Sequence, residues 1–230
     1  MTRNEPISYP GIDVLEVMTE AKKYNDYLSL LITRHLQPRF NVLDFGAGAG
    51  TFALPLLKRD INLYCVEPDT GLAASLQRHG ANATIDLDDI SEQSMDLIYT
   101  LNVLEHIADD TGTVHALSTK LKPGGILFVY VPAFKILYSS FDARIGHLRR
   151  YRRHTLAKLM VAAGLRVVEC RYIDSAGFFA ALLFRALQSG DINRTMVKIY
   201  DSLLFPVSLA ADRLFSSYFG KNVMVVAKKG

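Results

Sequence analysis

Val42-Leu43-Asp44-Phe45-Gly46-Ala47-Gly48-Ala49-Gly50-Thr51 decides the fold. An apolar run ends in an acid, then passes into three alternating glycines that open a helical pattern at Phe52–Lys58. Glycine lets the chain turn tightly and brings backbone close to a ligand with no Cβ in the way. A ligand held there sits at the carboxyl end of a strand, where open α/β sheets bind small molecules. The dinucleotide fingerprint G-x-G-x-x-G would need glycine at position 51, where Thr51 stands, so the spacing disfavours NAD and FAD.

Outward from this loop, apolar runs rich in Val, Ile, Leu and Tyr recur. They lie at Phe40–Phe45, Ile61–Val66, Ala83–Leu87, Leu97–Leu101, Ile126–Val131, Arg166–Cys170 and Val223–Ala227. Continuous apolar strands suit a parallel sheet covered on both faces. Helical patterns alternate with them: Gly71–His79, Glu105–Leu121 and Thr155–Ala163. Lys122-Pro123-Gly124-Gly125 is expected to stop the second of these and turn the chain. The pattern predicts an α/β, doubly wound, seven-stranded mostly parallel sheet with helical additions. One domain is expected over 1–230, with an N-terminal helical cover at 14–36 and a helical insert at 173–222. The insert carries two apolar helical patterns, Phe178–Leu187 and Thr195–Phe215. In the second, Leu204, Val207, Ala211 and Leu214 form a stripe, with Asp201, Asp212 and Arg213 off it.

Composition narrows the function. The 26 Lys+Arg against 23 Asp+Glu give +3, too little to imply a polyanion partner. Cys65 and Cys170 read as core residues and fit a reducing, cytoplasmic compartment. Met1 to Tyr9 has no apolar segment of the kind a signal peptide needs. No run reaches the roughly 18 apolar residues of a membrane span.

A second acid follows the glycine loop. Glu67 ends the next strand in Cys65-Val66-Glu67-Pro68-Asp69, where its carboxylate can accept from both hydroxyls of a ribose and would repel a 2′-phosphate. Asp69 reads equally as the cap of the following helix. Asp86, Asp88 and Asp89 follow one strand later, either as an adenine-edge contact or as a solvated turn. Leu101 and Asn102 end the strand opposite the glycine loop.

With these motifs in order, followed by Val103-Leu104-Glu105-His106-Ile107 and Leu121-Lys122-Pro123-Gly124-Gly125, the chain resembles class I S-adenosylmethionine (SAM)-dependent methyltransferases. It looks most like the small-molecule branch related to ubiquinone-biosynthesis methyltransferases. The resemblance implies a Rossmann-like sheet of strand order 3-2-1-4-5-7-6, its last strand antiparallel. It implies SAM as methyl donor and S-adenosylhomocysteine as product. Asp44, Gly46, Ala47 and Gly48 would hold the methionine end, Glu67 and Pro68 the ribose, and Asp88 or Asp89 the adenine. Tyr24, in Ala21-Lys22-Lys23-Tyr24-Asn25, would line the donor.

The acceptor side is less determined. His106 and His147 are candidate bases, with Tyr151 beside the latter; each histidine reads alternatively as a packing or surface residue. The arginines 144, 149, 150, 152 and 153 suit an acceptor carboxylate or phosphate, RNA, an anionic membrane, or a loop paired with acids elsewhere. No metal is expected. Nucleic acid is disfavoured, because neither cysteine precedes a proline and Asn102-Val103-Leu104 replaces the loop used for exocyclic amines. The leading expectation is O- or N-methylation of a small-molecule acceptor. The alternatives are a lipid-like or prenylated acceptor at a membrane surface, and a non-catalytic SAM-binding or dimerisation module; a homodimer would bury the insert's apolar face.

Overall fold

The computed structural model describes residues 16–186 and 193–230. Val14 of the expected cover and Leu187 of the insert lie outside the described residues, as does the Met1–Tyr9 segment.

Seven strands form one sheet: β1 (Asn41–Phe45), β2 (Asn62–Val66), β3 (Asn82–Thr84), β4 (Met95–Leu101), β5 (Leu121–Pro132), β6 (Leu165–Ile173) and β7 (Asn222–Lys229). Their order is β3-β2-β1-β4-β5-β7-β6. The pairings β1 with β2 and β4, β2 with β3, and β4 with β5 are parallel, whereas β7 runs antiparallel to both β5 and β6. The doubly wound sheet and its order are as the sequence predicts. Two apolar cores cover its faces. One gathers Leu28 and Ile32 with Leu76, Phe128 and Phe205; the other gathers Val114, Leu117, Leu156 and Met160 with Ile98 and Leu127. Ahead of the insert the helices are α1 (Lys22–Thr33), α2 (Ala53–Leu56), α3 (Thr70–Arg78), α4 (Asp110–Lys120), α5 (Ser140–Arg144) and α6 (Arg153–Ala162), and the helical members of these cores come from α1, α3, α4, α6 and the insert.

Several boundaries move. The cover breaks at 19–21, so only Lys22–Thr33 is one continuous helix. The Pro-Gly-Gly stretch is absorbed into β5, whose partner β4 takes up the irregularity between Met95 and Leu97. The helix expected from Glu105 starts only at Asp110, capped by Asp109 accepting from the Gly112 N–H, and Leu104–His106 is a separate 3-10 turn.

The insert holds α7 (Ser175–Ala186), α8 (Arg194–Ile199), a π-helical turn (Tyr200–Leu204) and α9 (Phe205–Phe215). Its apolar stripe faces outward and its acids face inward. Leu204, Val207 and Leu214 are exposed, Leu214 to 74%, while Asp201, Asp212 and Ser208 are buried. The acids face inward because backbone N–H groups at two helix starts need acceptors. Asp212 takes the N–H groups of Asp174 and Ser175 at the start of α7, and Asp201 takes those of Lys23 and Tyr24 at the start of α1. Fully buried Phe205 packs edge-on to Tyr24 at 5.3 Å and to Tyr27 at 5.8 Å. Burial of such a ring contributes about 1.5–3 kcal/mol, enough to fasten the insert to the cover. Among the described residues no helix is long and apolar enough to cross a membrane.

Candidate active site

The donor loop follows β1 directly. Gly46, Gly48 and Gly50 all have positive φ. At Gly46, φ is +80°, and a Cβ would lie 2.3 Å from Val103 Cγ2, so only glycine fits. The N–H groups of Gly46 and Ala47 both reach the Val66 carbonyl, which ties the loop to the end of β2. There the Glu67 carboxylate accepts from Gly48 N at 2.7 Å and from Asp69 N at 3.0 Å. Each oxygen keeps a further lone pair for a ribose hydroxyl. Asp69 has the capping role: it accepts from Gly71 N and Leu72 N at the start of α3.

Asp44 and Glu67 are both buried. Burial pushes the Asp44 carboxyl up to about 7, with the neighbouring Tyr99 hydroxyl pulling it back and Glu67 pushing the same way as burial. Burial also raises Glu67, against the pull of the Asp69 and Gly48 N–H groups. Two carboxylates starved of water suit a cationic ligand such as a sulfonium or ammonium.

The other predicted donor residues follow the carboxyl ends of neighbouring parallel strands, Ala47 after β1, Pro68 after β2, Asp88 and Asp89 after β3, and Leu101 and Asn102 at the end of β4. Ala47 is buried and Pro68 exposed. Asp88 and Asp89 are exposed on a 3-10 turn; Asp89 accepts from the Thr84 hydroxyl, and Asp86 caps the turn through Asp88 N. Leu101 is half-buried, and exposed Asn102 takes the left-handed conformation at φ +54°. Tyr24 is buried, its hydroxyl 2.9 Å from that of Tyr130 at the end of β5.

On the acceptor side the structure brings His106 and His147 together, with ring centroids 4.7 Å apart at 74°. His106 lies on the 3-10 turn after β4. His147 follows Gly146, whose φ of +83° turns the chain after α5. Asp142 and Glu105, which the sequence reading left out of the site, complete it. Asp142 Oδ1 lies 2.7 Å from His147 Nδ1. An ionised carboxylate only accepts, so Nδ1 carries the proton and Nε2 faces inward, 3.6 Å from Glu105 Oε1. Arg150 forks onto both Asp142 oxygens, and Ser139 N adds a further bond. Burial alone would raise Asp142, but bonds from His147 and Arg150 hold it well below the usual carboxylate range. Glu105 is fully buried, neither of its side-chain oxygens finds a hydrogen-bond partner, and burial pushes it up to about 8. Burial and the neighbouring His147 push His106 down to about 4, leaving it a neutral imidazole at pH 7.

Tyr151 has structural partners. It is buried, and its hydroxyl donates toward the Leu104 carbonyl and Asp110 Oδ2, fastening the start of α6 to that of α4. The arginine cluster is likewise mostly tied down: Arg149 pairs with Asp110 at 2.9 Å, Arg150 with Asp142, Arg153 with the Ser217 carbonyl, while Arg144 and Arg152 lie over Phe141 and Phe134. Two surface cavities flank this region. One, of about 440 Å³, lies by Arg153, His154, Cys170 and Tyr218. The other, about 1060 Å³, opens beside the α5 loop and α7, lined by Ile136, Tyr138, Ser139, Ala143, Leu182 and Arg185. Tyr138 also donates to the His147 carbonyl, so this larger cavity adjoins the histidine loop. Neither is lined by the donor loop.

The sheet order, the glycine loop and the paired acids at the ends of β1 and β2 define a class I SAM-dependent methyltransferase domain. The profile of the methyltransferase-domain family matches residues 16–170, and the chain belongs to that family, whose cofactor is SAM. The ubiquinone biosynthesis O-methyltransferase of Methylocella silvestris is 26% identical over 44% of this chain. The chain spans about half, 49%, of that relative's length. Among solved structures, phosphoethanolamine N-methyltransferase 2 of Haemonchus contortus in complex with SAM shares the fold at TM-score 0.61 and 16% identity, over 97% of this chain and 60% of that one. Geranyl diphosphate C-methyltransferase of Streptomyces coelicolor, with S-adenosylhomocysteine, Mg2+ and geranyl diphosphate, shares it at 0.65 and 14%, over 93% and 82%. Their acceptors differ, so family membership gives the donor and the acceptor is left to local chemistry.

Proposed function

We propose that this chain transfers a methyl group from SAM to an oxygen or nitrogen of a small-molecule acceptor. The observation that carries the reading is the Asp142–His147 couple, a buried carboxylate fixing one imidazole tautomer so that its other nitrogen is free to accept a proton. Bound SAM supplies an activated methyl on a sulfonium that departs as a neutral thioether. The protein's part is alignment and exclusion of water, where orientation contributes on the order of 7–11 kcal/mol. Asp44 and Glu67 hold the cationic donor at the ends of β1 and β2. His147 takes the acceptor proton at Nε2, and His106, kept neutral, lies beside it to orient the nucleophile. A lipid-like acceptor is the second reading, favoured by the exposed apolar residues Phe179 and Leu183 on α7 and Val207 and Leu214 on α9.

Incubation with methyl-labelled SAM and fractionated metabolites should yield label in a small polar product. Label found only in lipid extracts, together with salt-sensitive flotation on anionic vesicles, would favour the second reading. Label in neither fraction would sink the transferase reading.

Donor binding has its own test. Glu67→Ala should weaken SAM and S-adenosylhomocysteine by about 1.5–3 kcal/mol, the loss of a charge-assisted contact. Because Asp44 carries a proton up to about pH 7 in the free protein, a donor that needs the carboxylate must displace it. SAM affinity should therefore rise with pH through about 7 and level off above it, with proton release on binding below that point. Calorimetry in buffers of different ionisation enthalpy measures both. A flat profile with no proton released would remove Asp44 from the donor site.

A further inference from the structure

We propose that Glu105, His106 and His147 form a binding site for one divalent transition-metal cation of the zinc type. The three residues offer one ligand atom each, and those atoms all lie within 4.8 Å of one another. Among the described residues they are the one such cluster of three. A tetrahedral zinc ion with its ligands at about 2.0–2.1 Å would set them roughly 3.3 Å apart. The 3.6 Å between Glu105 Oε1 and His147 Nε2 is already close to that. Rotation of the His106 ring and the Glu105 carboxyl would close the rest.

The surroundings are built as ligand-orienting groups are. Metal-bound histidines donate their second ring N–H to a carboxylate or carbonyl, which fixes tautomer and direction. His147 has Asp142 in that place, and His106 has a backbone hydrogen bond with Gly146. Asp142 is itself neutralised by Arg150, so it orients His147 without adding a net charge. Glu105 supplies the second, independent observation. It is a carboxyl with no exposed surface and no hydrogen-bond partner on either oxygen, aimed at an imidazole nitrogen. A buried polar group normally finds a partner. A cation between Glu105 and the two imidazoles satisfies all three at once. The combination of two imidazoles and one carboxylate selects zinc, iron or cobalt over calcium or magnesium, which prefer oxygen.

Three protein ligands leave a fourth position open, and half-buried His106 marks the side on which it faces outward. A cation there would acidify an oxygen placed in that position, as zinc does for water. In that case the imidazole of His147 holds the metal, and the cation takes over the acidifying role assigned above to Nε2. The binding site itself does not rest on the methyl-transfer reading.

The full chain, freed of metal by chelator and dialysis, should bind cobalt(II) with a one-equivalent endpoint and ligand-field bands in the visible. Zinc should displace it. His106→Ala and Glu105→Gln should each abolish the endpoint, whereas His154→Ala, at an exposed histidine outside the cluster, should leave it unchanged. Asp142→Asn should weaken binding by about 10–100-fold, as outer-shell changes do. No saturable binding by the wild type, or an endpoint that survives in His106→Ala, would overturn the site. Because His106 is half-buried, its variant reports even where Glu105→Gln disturbs folding. Loss of binding in His154→Ala would equally count against it, since the metal would then lie elsewhere.

Discussion

Asp142→Ala is expected to destabilise the protein by about 3–5 kcal/mol, the cost of removing one partner of a buried ion pair. The Arg150 side chain, 9% exposed, would keep its charge with little water and no carboxylate. Ser139 N and His147 Nδ1 would lose their acceptor in the same step. Asp142 is held below the ordinary carboxylate pKa, so its contribution is complete above about pH 4 and disappears only as acid reaches its lower folded value. Urea denaturation of wild type and variant should differ by the full amount at pH 7, and the two curves should converge only in strong acid. A difference under about 1 kcal/mol at pH 7 would mean that the carboxylate is solvated and merely near its partners.

Turnover carries the second large effect. At least one of His106→Ala and His147→Ala should lower kcat by about 10²-fold or more, the usual worth of a positioned acid or base. SAM affinity should stay close to wild type, because the two rings pack on each other and His147 on Glu105 and Asp142, whereas the donor acids stand at the ends of β1 and β2. Both measurements are needed, since lost kcat with intact donor binding separates acceptor chemistry from a collapsed donor site. Near wild-type rates in both variants would leave alignment alone as the source of rate.

The sheet was readable because its information is local. The run into Asp44, the alternating glycines and the next acid, Glu67, each declare themselves within a few residues, and Gly46 is where the backbone and Val103 permit nothing larger. The acceptor side was half readable. His106 and His147 stood out as titratable groups, yet their partners did not. Asp142 looked like one acid at the edge of a basic loop, and Glu105 like an ordinary polar residue in an apolar stretch. Their roles depend on the turn at Gly146 and the 3-10 turn at Leu104–His106, which bring residues about 40 apart in sequence into one cluster. Tyr151 stands near His147 in sequence, and its bridge to Ala133 leaves the hydroxyl on Asp110 and the Leu104 carbonyl, partners that no local pattern declares. The insert was readable in part for a different reason. Helical periodicity gave the two faces of its second helix, but not the distant backbone groups that its acids meet. Asp201 and Asp212 turn inward because helix starts far away in the chain need their carboxylates.

Asp201 accepts from backbone N–H groups of Lys23 and Tyr24, 178 and 177 positions earlier in the chain. During synthesis helix α1 leaves the ribosome with those donors unmet, and its N-cap Ala21 has no polar side chain to cap them. The aromatic wedge of Phe205 against Tyr24 arrives only four residues after Asp201. Long loops must close before such contacts return any free energy, so cover and insert can settle only after strands β1 to β6 between them have been made. The parallel half of the sheet, β1 to β4, can form on shorter separations. Assembly therefore runs from the donor loop outward, and helix α1, made before any strand of the sheet, is among the last to lock in place.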